Sequence, residues 1–238
     1  MGWGWLITFA LGILGGLALS VLAPVNAWLG RWARQFVKPL FIYVVANPEQ
    51  IWGTYPDWMS AWAWLPTAIP DPPELDGAGA FGNWVREQGG WPAGGSMVEI
   101  IVQSKTPATA ALLPPIIHSK RLQLPEGRVV SRYAPGGASV SPTRVEVDLG
   151  PSGAPGRVRF FEAGGDPVEG IVWSIAGVET QRVQLQVRAF GERALWAWWA
   201  EFFVLADGRE YRQTVGSETD PYYVVAIGGE SDLPANAI

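Results

Sequence analysis

The chain has 238 residues, of which 48% are apolar and 16% are charged, and its formal net charge is −5. This length allows one globular domain with an appendage, or two small domains. An acidic chain lacks the basic face that a nucleic-acid partner requires, so we expect no nucleic acid among its partners. Cysteine is absent, which excludes disulfides, thiolate metal sites and a cysteine nucleophile.

Residues 1–25 predict a transmembrane helix. No side chain in residues 1–30 is ionisable, and residues 3–25 are largely apolar. At about 1.5 Å per residue this run makes a helix of roughly 34 Å, enough to cross a hydrocarbon core of about 30 Å. A buried core helix is one alternative, and a signal peptide cleaved near Ala27 is another, although signal peptides usually begin with a basic region. Tryptophans suited to the two membrane interfaces flank the run: Trp3, Trp5, Trp28 and Trp32.

Positive charges follow this predicted helix and do not precede it, apart from the terminal amine. They are Arg31, Arg34 and Lys38. The positive-inside rule then places the C-terminal domain in the cytoplasm, with an outward-facing or secreted domain as the alternative. Gly12 and Gly16 have the G-x-x-x-G spacing that lets two membrane helices approach closely, so a homodimer formed through this helix is a further hypothesis.

Two segments separate the predicted membrane helix from a β-rich domain. Residues 26–46 place Trp28, Trp32 and Phe36 on one helical face and basic residues on the other. This pattern predicts an amphipathic juxtamembrane helix on the lipid surface, or an ordinary helix that covers the soluble core. Residues 47–95 are rich in proline and tryptophan and predict a connector, in which Trp58 and Trp62 fit one face of a short helix.

Residues 96–230 predict a mainly β domain, followed by a tail at 231–238. Short β-branched or alternating runs recur between turn residues, and no βαβ rhythm intervenes. This pattern favours an antiparallel β-sandwich, or a barrel-like fold. The run at 182–190 alternates most clearly, with Val183 and Leu185 on one face and Gln184 and Gln186 on the other. Asp207-Gly208 lies between two strand-like runs and predicts a two-residue hairpin.

Few residues in this sequence suggest catalysis. His118 is the single histidine, and without cysteine it needs carboxylates to complete a zinc site. As a general base it needs a nucleophile nearby, but Ser119 points to the opposite face of a strand. Asp71 and Glu74 belong to an acidic run without the spacing of a calcium loop. We therefore predict no catalytic residue, no metal and no cofactor.

The WAWW run at 196–199 is the strongest candidate for a binding feature. In a strand, Trp196 and Trp198 share one face. They predict an exposed aromatic surface for a partner. The alternative is that they belong to the core of the sandwich.

Several segments between Trp84 and Tyr222 resemble a known family. They are Trp84 ahead of GGWPAG at 89–94, VEIIVQSK at 98–105, VEVDLG at 145–150, and a late tryptophan-containing strand that runs to Asp207-Gly208-Arg209. Together they are similar to an uncharacterised family of actinobacterial proteins. The resemblance covers a little over half of the chain and implies an N-terminal membrane segment with a β-rich domain, but no activity. The WAWW run departs from the family pattern, which has a polar residue and a shorter aromatic run there.

These features predict a membrane-anchored, non-enzymatic protein whose β domain binds a macromolecular partner, most simply a protein, or senses a ligand. The lipid bilayer is its other expected partner. A cell-envelope binding module is one alternative, and an enzyme with a carboxylate pair is another. A deep pocket that holds two carboxylates, or His118 with a carboxylate, would favour the enzyme.

Overall fold

A computed structural model describes most of the chain between Leu40 and Gly228. The described residues are 40–47, 51, 61–75, 77–104, 109–132, 143–150, 155–162, 167–168, 173–175, 180–206 and 208–228, and all belong to one unit. Within them, no helix is long and apolar enough to cross a membrane. The predicted membrane helix, with Gly12 and Gly16, and the predicted interface residues lie outside this part of the chain: Trp3, Trp5, Trp28, Arg31, Trp32, Arg34 and Lys38.

Strands dominate this part of the chain, so the predicted mainly β class is confirmed. The one α-helix among the described elements, α1, spans Gly77–Glu87. The strands are β1 (Leu40–Val45), β2 (Ala61–Pro66), β3 (Trp91–Pro92), β4 (Gly95–Ser104), β5 (Ala110–Leu112), β6 (Ile116–Leu122), β7 (Gly127–Arg132), β8 (Arg144–Leu149), β9 (Pro155–Phe161), β10 (Pro167–Val168), β11 (Trp173–Ile175), β12 (Thr180–Ala189), β13 (Ala194–Ala206), β14 (Arg209–Val215) and β15 (Tyr222–Ala226).

Sheet I has six strands in the order β1-β4-β12-β8-β9-β10. Its neighbours are antiparallel except for β8 and β12, which run parallel, with Gln186 opposite Glu146 and Arg188 opposite Asp148. A parallel pair needs a long crossover connection. Here β9, β10 and β11 lie between the two strands along the chain. Sheet I therefore departs at this one pair from the antiparallel arrangement that the sequence predicts.

Sheet II is built around β13, a strand of 13 residues. One edge of β13 pairs with β6 and β5, and the other edge pairs with β15 and β14, while β11 extends the sheet from β5. The predicted hairpin between β13 and β14 is confirmed, because Ala206 pairs with Arg209; Asp207 itself lies outside the described residues. Gly208 has a φ of 70°, which two-residue hairpin turns require and glycine adopts readily.

The inner faces of sheets I and II bury a shared hydrophobic core. Val183, Leu185 and Val187 point into it from β12, as their alternation predicts. Trp196 and Trp198 point into it from β13 and expose 5% and 0% of their surface. The predicted exposed aromatic surface at these two residues is therefore wrong, and the core alternative is correct. The reason is the two-residue period of β13, which places both tryptophans on the face that meets sheet I.

Sheet III is small, with the order β3-β2-β7, and both of its faces are covered. On one face, Leu65 of β2 packs with Phe81 and Val85 of α1. On the other face, Trp64 packs with Leu195 of sheet II. Sheet III thus joins the helix to the outer face of sheet II.

Two segments before residue 96 differ from the sequence prediction. Residues 40–45, the end of the predicted amphipathic helix at 26–46, form strand β1 and pair with β4. β-Branched and aromatic residues favour a strand, and pairing with the adjacent strand β4 stabilises it. The predicted connector at 47–95 contains β2, α1 and β3, and Trp62 lies in β2 opposite Ser131 rather than in a helix. The partner of β2 lies far along the chain, so local composition does not reveal this pairing.

Candidate functional site

A cavity of about 550 Å³ lies between α1, the junction of β3 and β4, and the outer face of sheet I. Its walls are mostly apolar, and one end is polar. Pockets of this size with apolar walls and a few polar groups are typical of small-molecule sites. The apolar walls include Trp62, Phe81, Val85, Phe190 and Ile227. The polar end includes Arg144, Glu146, Gln186 and Arg188.

The junction of β3 and β4 ties all three sheets together beside the cavity. The N–H of Ala93 donates to a carbonyl of β2, the N–H of Gly94 donates to β15, and the carbonyl of Gly94 accepts from β12. Gly94 has a φ of 73°, and a Cβ there would lie 3.0 Å from Ile227. A Cβ on Gly95 would lie 3.3 Å from Nε2 of Gln186. Side chains at these two positions would crowd Ile227 and Gln186, so the glycines leave the bare backbone as this wall of the cavity.

Three arginines and two carboxylates form one network at the polar end, which we call the arginine–carboxylate network: Arg144, Glu146, Asp148, Arg159 and Arg188. Glu146 lies at its centre, with 9% of its side chain exposed. Its oxygens lie 2.8 Å from Nε of Arg144, 3.0 Å from Nη2 of Arg159 and 3.4 Å from Nη1 of Arg188. Asp148 lies 3.2 Å from Nη2 of Arg159 and 3.7 Å from Nε of Arg188.

Strand geometry explains why these side chains meet. Alternation along β8 puts Arg144, Glu146 and Asp148 on the outer face of sheet I, since the residues between them are buried in the core. The parallel register then brings Arg188 of β12 opposite Asp148. The antiparallel pairing of β8 and β9 brings Arg159 opposite Glu146. Arg144 and Glu146 are neighbours on one face of β8, and the other contacts in the network are cross-strand pairs or diagonal neighbours.

Aromatic rings hold two of the arginines in place. Cζ of Arg144 lies 3.9 Å from the ring centroid of Phe161, and Cζ of Arg188 lies 4.9 Å from that of Phe190. Both distances fall within the range of cation–π contacts. Phe190 is also a wall of the cavity, so Arg188 lies where the apolar wall meets the network.

Positive charge predominates at the cavity. Among the described residues, the network holds three guanidinium groups and two carboxylates, so guanidinium groups outnumber carboxylates by one. Arg86 of α1 also lines the cavity, and Glu146 is the one carboxylate among its described lining residues. A cleft lined mainly by one sign of charge concentrates ligands of the opposite sign.

Two more polar side chains are buried on the same outer face of sheet I. Glu99 and Gln184 lie opposite one another in β4 and β12 and expose 2% and 1% of their surface. Within the part of the chain that the structure describes, Oε1 of Glu99 and both amide atoms of Gln184 have no hydrogen-bond partner. Nη1 of Arg182 lies 3.7 Å from Glu99, beyond hydrogen-bond distance. Buried polar atoms without partners cost folding free energy.

His118 belongs to a different sheet from this network and lies on the outer face of sheet II. Its ring stacks on Trp199 at 5.4 Å, and its Nε2 lies 3.4 Å from Oε2 of Glu201. The side chain of His118 is 38% exposed and does not line the cavity. Trp199 is therefore the tryptophan of the WAWW run that faces outward, and the histidine–carboxylate pair lies on an open sheet face.

The other predicted acidic residues do not gather into a site. Asp71 lies 2.8 Å from Nη2 of Arg128, at the surface. Over residues 40–228, in the ranges given above, no group of three or more histidine and carboxylate side chains is arranged to hold a metal ion.

None of the network residues is among the site residues predicted from the sequence. The alternation of RVEVDL at 144–149 does place three charged side chains on one strand face. It does not show which strands lie beside β8. The sequence therefore carried a signal for three of the five network residues, but none that would bring Arg159 and Arg188 beside them.

No family model, curated protein or solved structure matches this chain. The resemblance to the actinobacterial family stays a prediction.

Proposed function

We propose that the β-rich unit is a non-catalytic binding domain for a small, largely apolar molecule, and that the whole chain is a membrane-anchored sensor of that molecule. The cavity of about 550 Å³ carries this proposal. Its apolar walls supply burial for the ligand, and its charged end supplies orientation and specificity. In this proposal the two larger sheets form a β-sandwich that acts as the rigid support.

The residues at the cavity support binding over acid–base catalysis. Both carboxylates of the network lie against arginines, and Glu146 is the one described carboxylate that lines the cavity. His118, with Glu201, lies on another sheet. A general acid or base must reach the reacting group within about 3 Å. The carboxylate of Glu146 is instead held by three guanidinium groups.

The anchor in this proposal rests on the sequence alone. Residues 3–25 form an apolar run, and Arg31, Arg34 and Lys38 follow it. This arrangement supports a single membrane span with the β-rich unit in the cytoplasm. A binding domain held at the membrane would report on a molecule present at or near the bilayer.

Ligand binding can be tested with the full chain in lipid nanodiscs. The probe is the neutral fluorophore N-phenylnaphthylamine, measured by equilibrium dialysis with empty nanodiscs as background. Met97 lines the cavity, so Met97→Trp should fill it and abolish the binding that exceeds the background. Ile101→Trp is the matched control, because Ile101 lies on the same face of β4 and is half-buried but does not line the cavity. Equal binding by wild type and Met97→Trp would contradict the proposal.

The anchor and its orientation can be tested with a C-terminal alkaline phosphatase fusion. We expect the fusion protein in the membrane fraction after alkaline carbonate extraction, with an inactive phosphatase. Release by carbonate would contradict the anchor. An active phosphatase would contradict the cytoplasmic orientation and favour the outward-facing alternative.

A further inference from the structure

We infer that the molecule bound in the cavity is an apolar monoanion that ends in a carboxylate, and that Arg188 binds this carboxylate. The inference rests on the proposed binding function. It adds the chemical class of the ligand and the residue that recognises it.

Arg188 is the arginine of the network that is held least tightly by its carboxylates. Its nitrogens lie 3.4 Å from Glu146 and 3.7 Å from Asp148, whereas Nε of Arg144 lies 2.8 Å from Glu146. Charge-assisted hydrogen bonds between arginine and carboxylate are about 2.7–2.9 Å long. Both contacts of Arg188 are longer than that, so its guanidinium can turn towards a ligand without breaking a short hydrogen bond.

The position of Arg188 links the two parts of the cavity. Its guanidinium lies over Phe190, and both residues line the cavity, as does Ile227. A ligand whose polar end reaches Arg188 therefore extends its remaining atoms along an apolar wall. This arrangement favours a molecule with one polar end and an apolar body.

Charge and shape favour a carboxylate at that polar end. Guanidinium groups outnumber carboxylates by one in the described network, and Arg188 has only long contacts with its carboxylates, so a monoanion matches this end of the cavity. The planar guanidinium fork matches a carboxylate with two parallel hydrogen bonds. The outer face of sheet I already contains a short arginine–carboxylate hydrogen bond, which Nε of Arg144 donates to Glu146.

The test compares octanoate, octanol and octyl phosphate, each isotope-labelled, by equilibrium dialysis against the full chain in nanodiscs. Since a hydrogen bond to a charged group is among the strong polar contacts, we expect octanoate to bind at least roughly tenfold more tightly than octanol. Arg188→Gln should reduce this ratio to about twofold or less and leave octanol binding unchanged. Lipid partitioning is the same for every variant, so it cancels in the comparison.

Two further variants separate recognition by Arg188 from a general effect of charge. Arg182→Gln removes a positive charge from the same outer face of sheet I, at a side chain that is 53% exposed and does not line the cavity. It should leave the octanoate-to-octanol ratio within about twofold, because exposed charges are screened. Asp148→Asn removes a carboxylate that competes for Arg188, so it should tighten octanoate binding. A variant that merely loosened the fold would weaken binding, so a gain of affinity supports the inference directly.

The outcomes separate the inference from the proposed function. Equal affinity for octanoate and octanol, both lost in Met97→Trp, would overturn the carboxylate and leave the binding domain intact. Tighter binding of octyl phosphate than of octanoate would also overturn the carboxylate. An unchanged ratio in Arg188→Gln would overturn the role of Arg188. If neither octanoate nor octanol bound above the empty-nanodisc background, the proposed binding function itself would be wrong.

Discussion

Replacing Glu146 with glutamine removes the charge at the centre of the arginine–carboxylate network and keeps its shape. The carboxylate is 9% exposed and contacts three guanidinium groups. Removing one partner of a buried ion pair costs about 3–5 kcal/mol, because the other partner stays buried without compensation. The three arginines are 14%, 27% and 25% exposed, so they recover part of their hydration. We therefore expect a loss near the lower end, about 3 kcal/mol.

The assay unfolds the full chain in nanodiscs, with urea and separately by heating. Circular dichroism monitors the unfolding of the β-rich unit. For a unit of this size, a loss of about 3 kcal/mol lowers the Tm by about 6–12 °C. Asp148→Asn is the graded control, since the Asp148 side chain is 34% exposed and its contacts are 3.2 and 3.7 Å long. It should cost about 1 kcal/mol or less, as expected for an exposed pair.

Salt separates the two variants further. A partly exposed pair weakens at high ionic strength, whereas a buried pair is screened much less. The loss in Glu146→Gln should therefore persist in salt, and the loss in Asp148→Asn should shrink. If Glu146→Gln lies within about 0.5 kcal/mol of wild type, the range of ordinary surface substitutions, then the network does not stabilise this face and the reasoning is refuted.

Three more substitutions test the fold around the site, each by urea unfolding. Trp198→Ala should cost about 3–5 kcal/mol because Trp198 is fully buried, whereas Trp199→Ala, at a half-buried position, should cost about 1 kcal/mol. Gly90→Ala should cost about 1–3 kcal/mol, since its Cβ would lie 2.8 Å from a backbone oxygen of β2. Burial, and then the charge of Asp220, raises the pKa of Tyr222 above 10.0. The folded state thus holds the Tyr222 proton more tightly than the unfolded state does. The resulting contribution to the free energy of unfolding is fully present below pH 10.0 and is lost as the pH rises through the folded pKa. Tyr222→Phe should therefore flatten the alkaline fall in unfolding free energy.

Each of these expectations has a clear opposite. Equal losses for the two tryptophan variants would contradict the inward orientation of Trp198. A neutral effect of Gly90→Ala would contradict the close approach of Gly90 to β2. An alkaline fall as steep in Tyr222→Phe as in wild type would show that another group causes it.

Periodicity shows which face of a strand points into the core only when one of the two faces is apolar and the other is polar. Along β12, Val183 and Leu185 alternate with Gln184 and Gln186, so the inward face is evident from the sequence. Along β13 the outer face is apolar as well as the inner one: Leu195 lies on the outer face and is buried under sheet III. Alternation alone then cannot assign Trp196 and Trp198 to the core or to the surface.

The candidate site depends on pairings between distant parts of the chain. The charged face of β8 is visible in the sequence, but its neighbours β9 and β12 are fixed by the packing of the whole sheet. The same limit explains why residues 40–45 and Trp62 were predicted as helical. Each lies in a strand whose partner is remote in sequence, and strand formation depends on the partner more than on intrinsic preference.

Buried polar residues distinguish the outer face of sheet I from a sheet face that is covered only by apolar packing. Glu99, Glu146 and Gln184 are all buried there, and two of them keep polar atoms without a hydrogen-bond partner among the described residues. Replacing a buried ion pair with apolar side chains of similar volume often leaves the free energy of unfolding unchanged or raises it. A face that served only to pack would therefore not need these buried polar and charged residues. The face instead keeps its charges beside a cavity with apolar walls, which is consistent with the binding function that we propose, since functional sites often depart from the most stable arrangement.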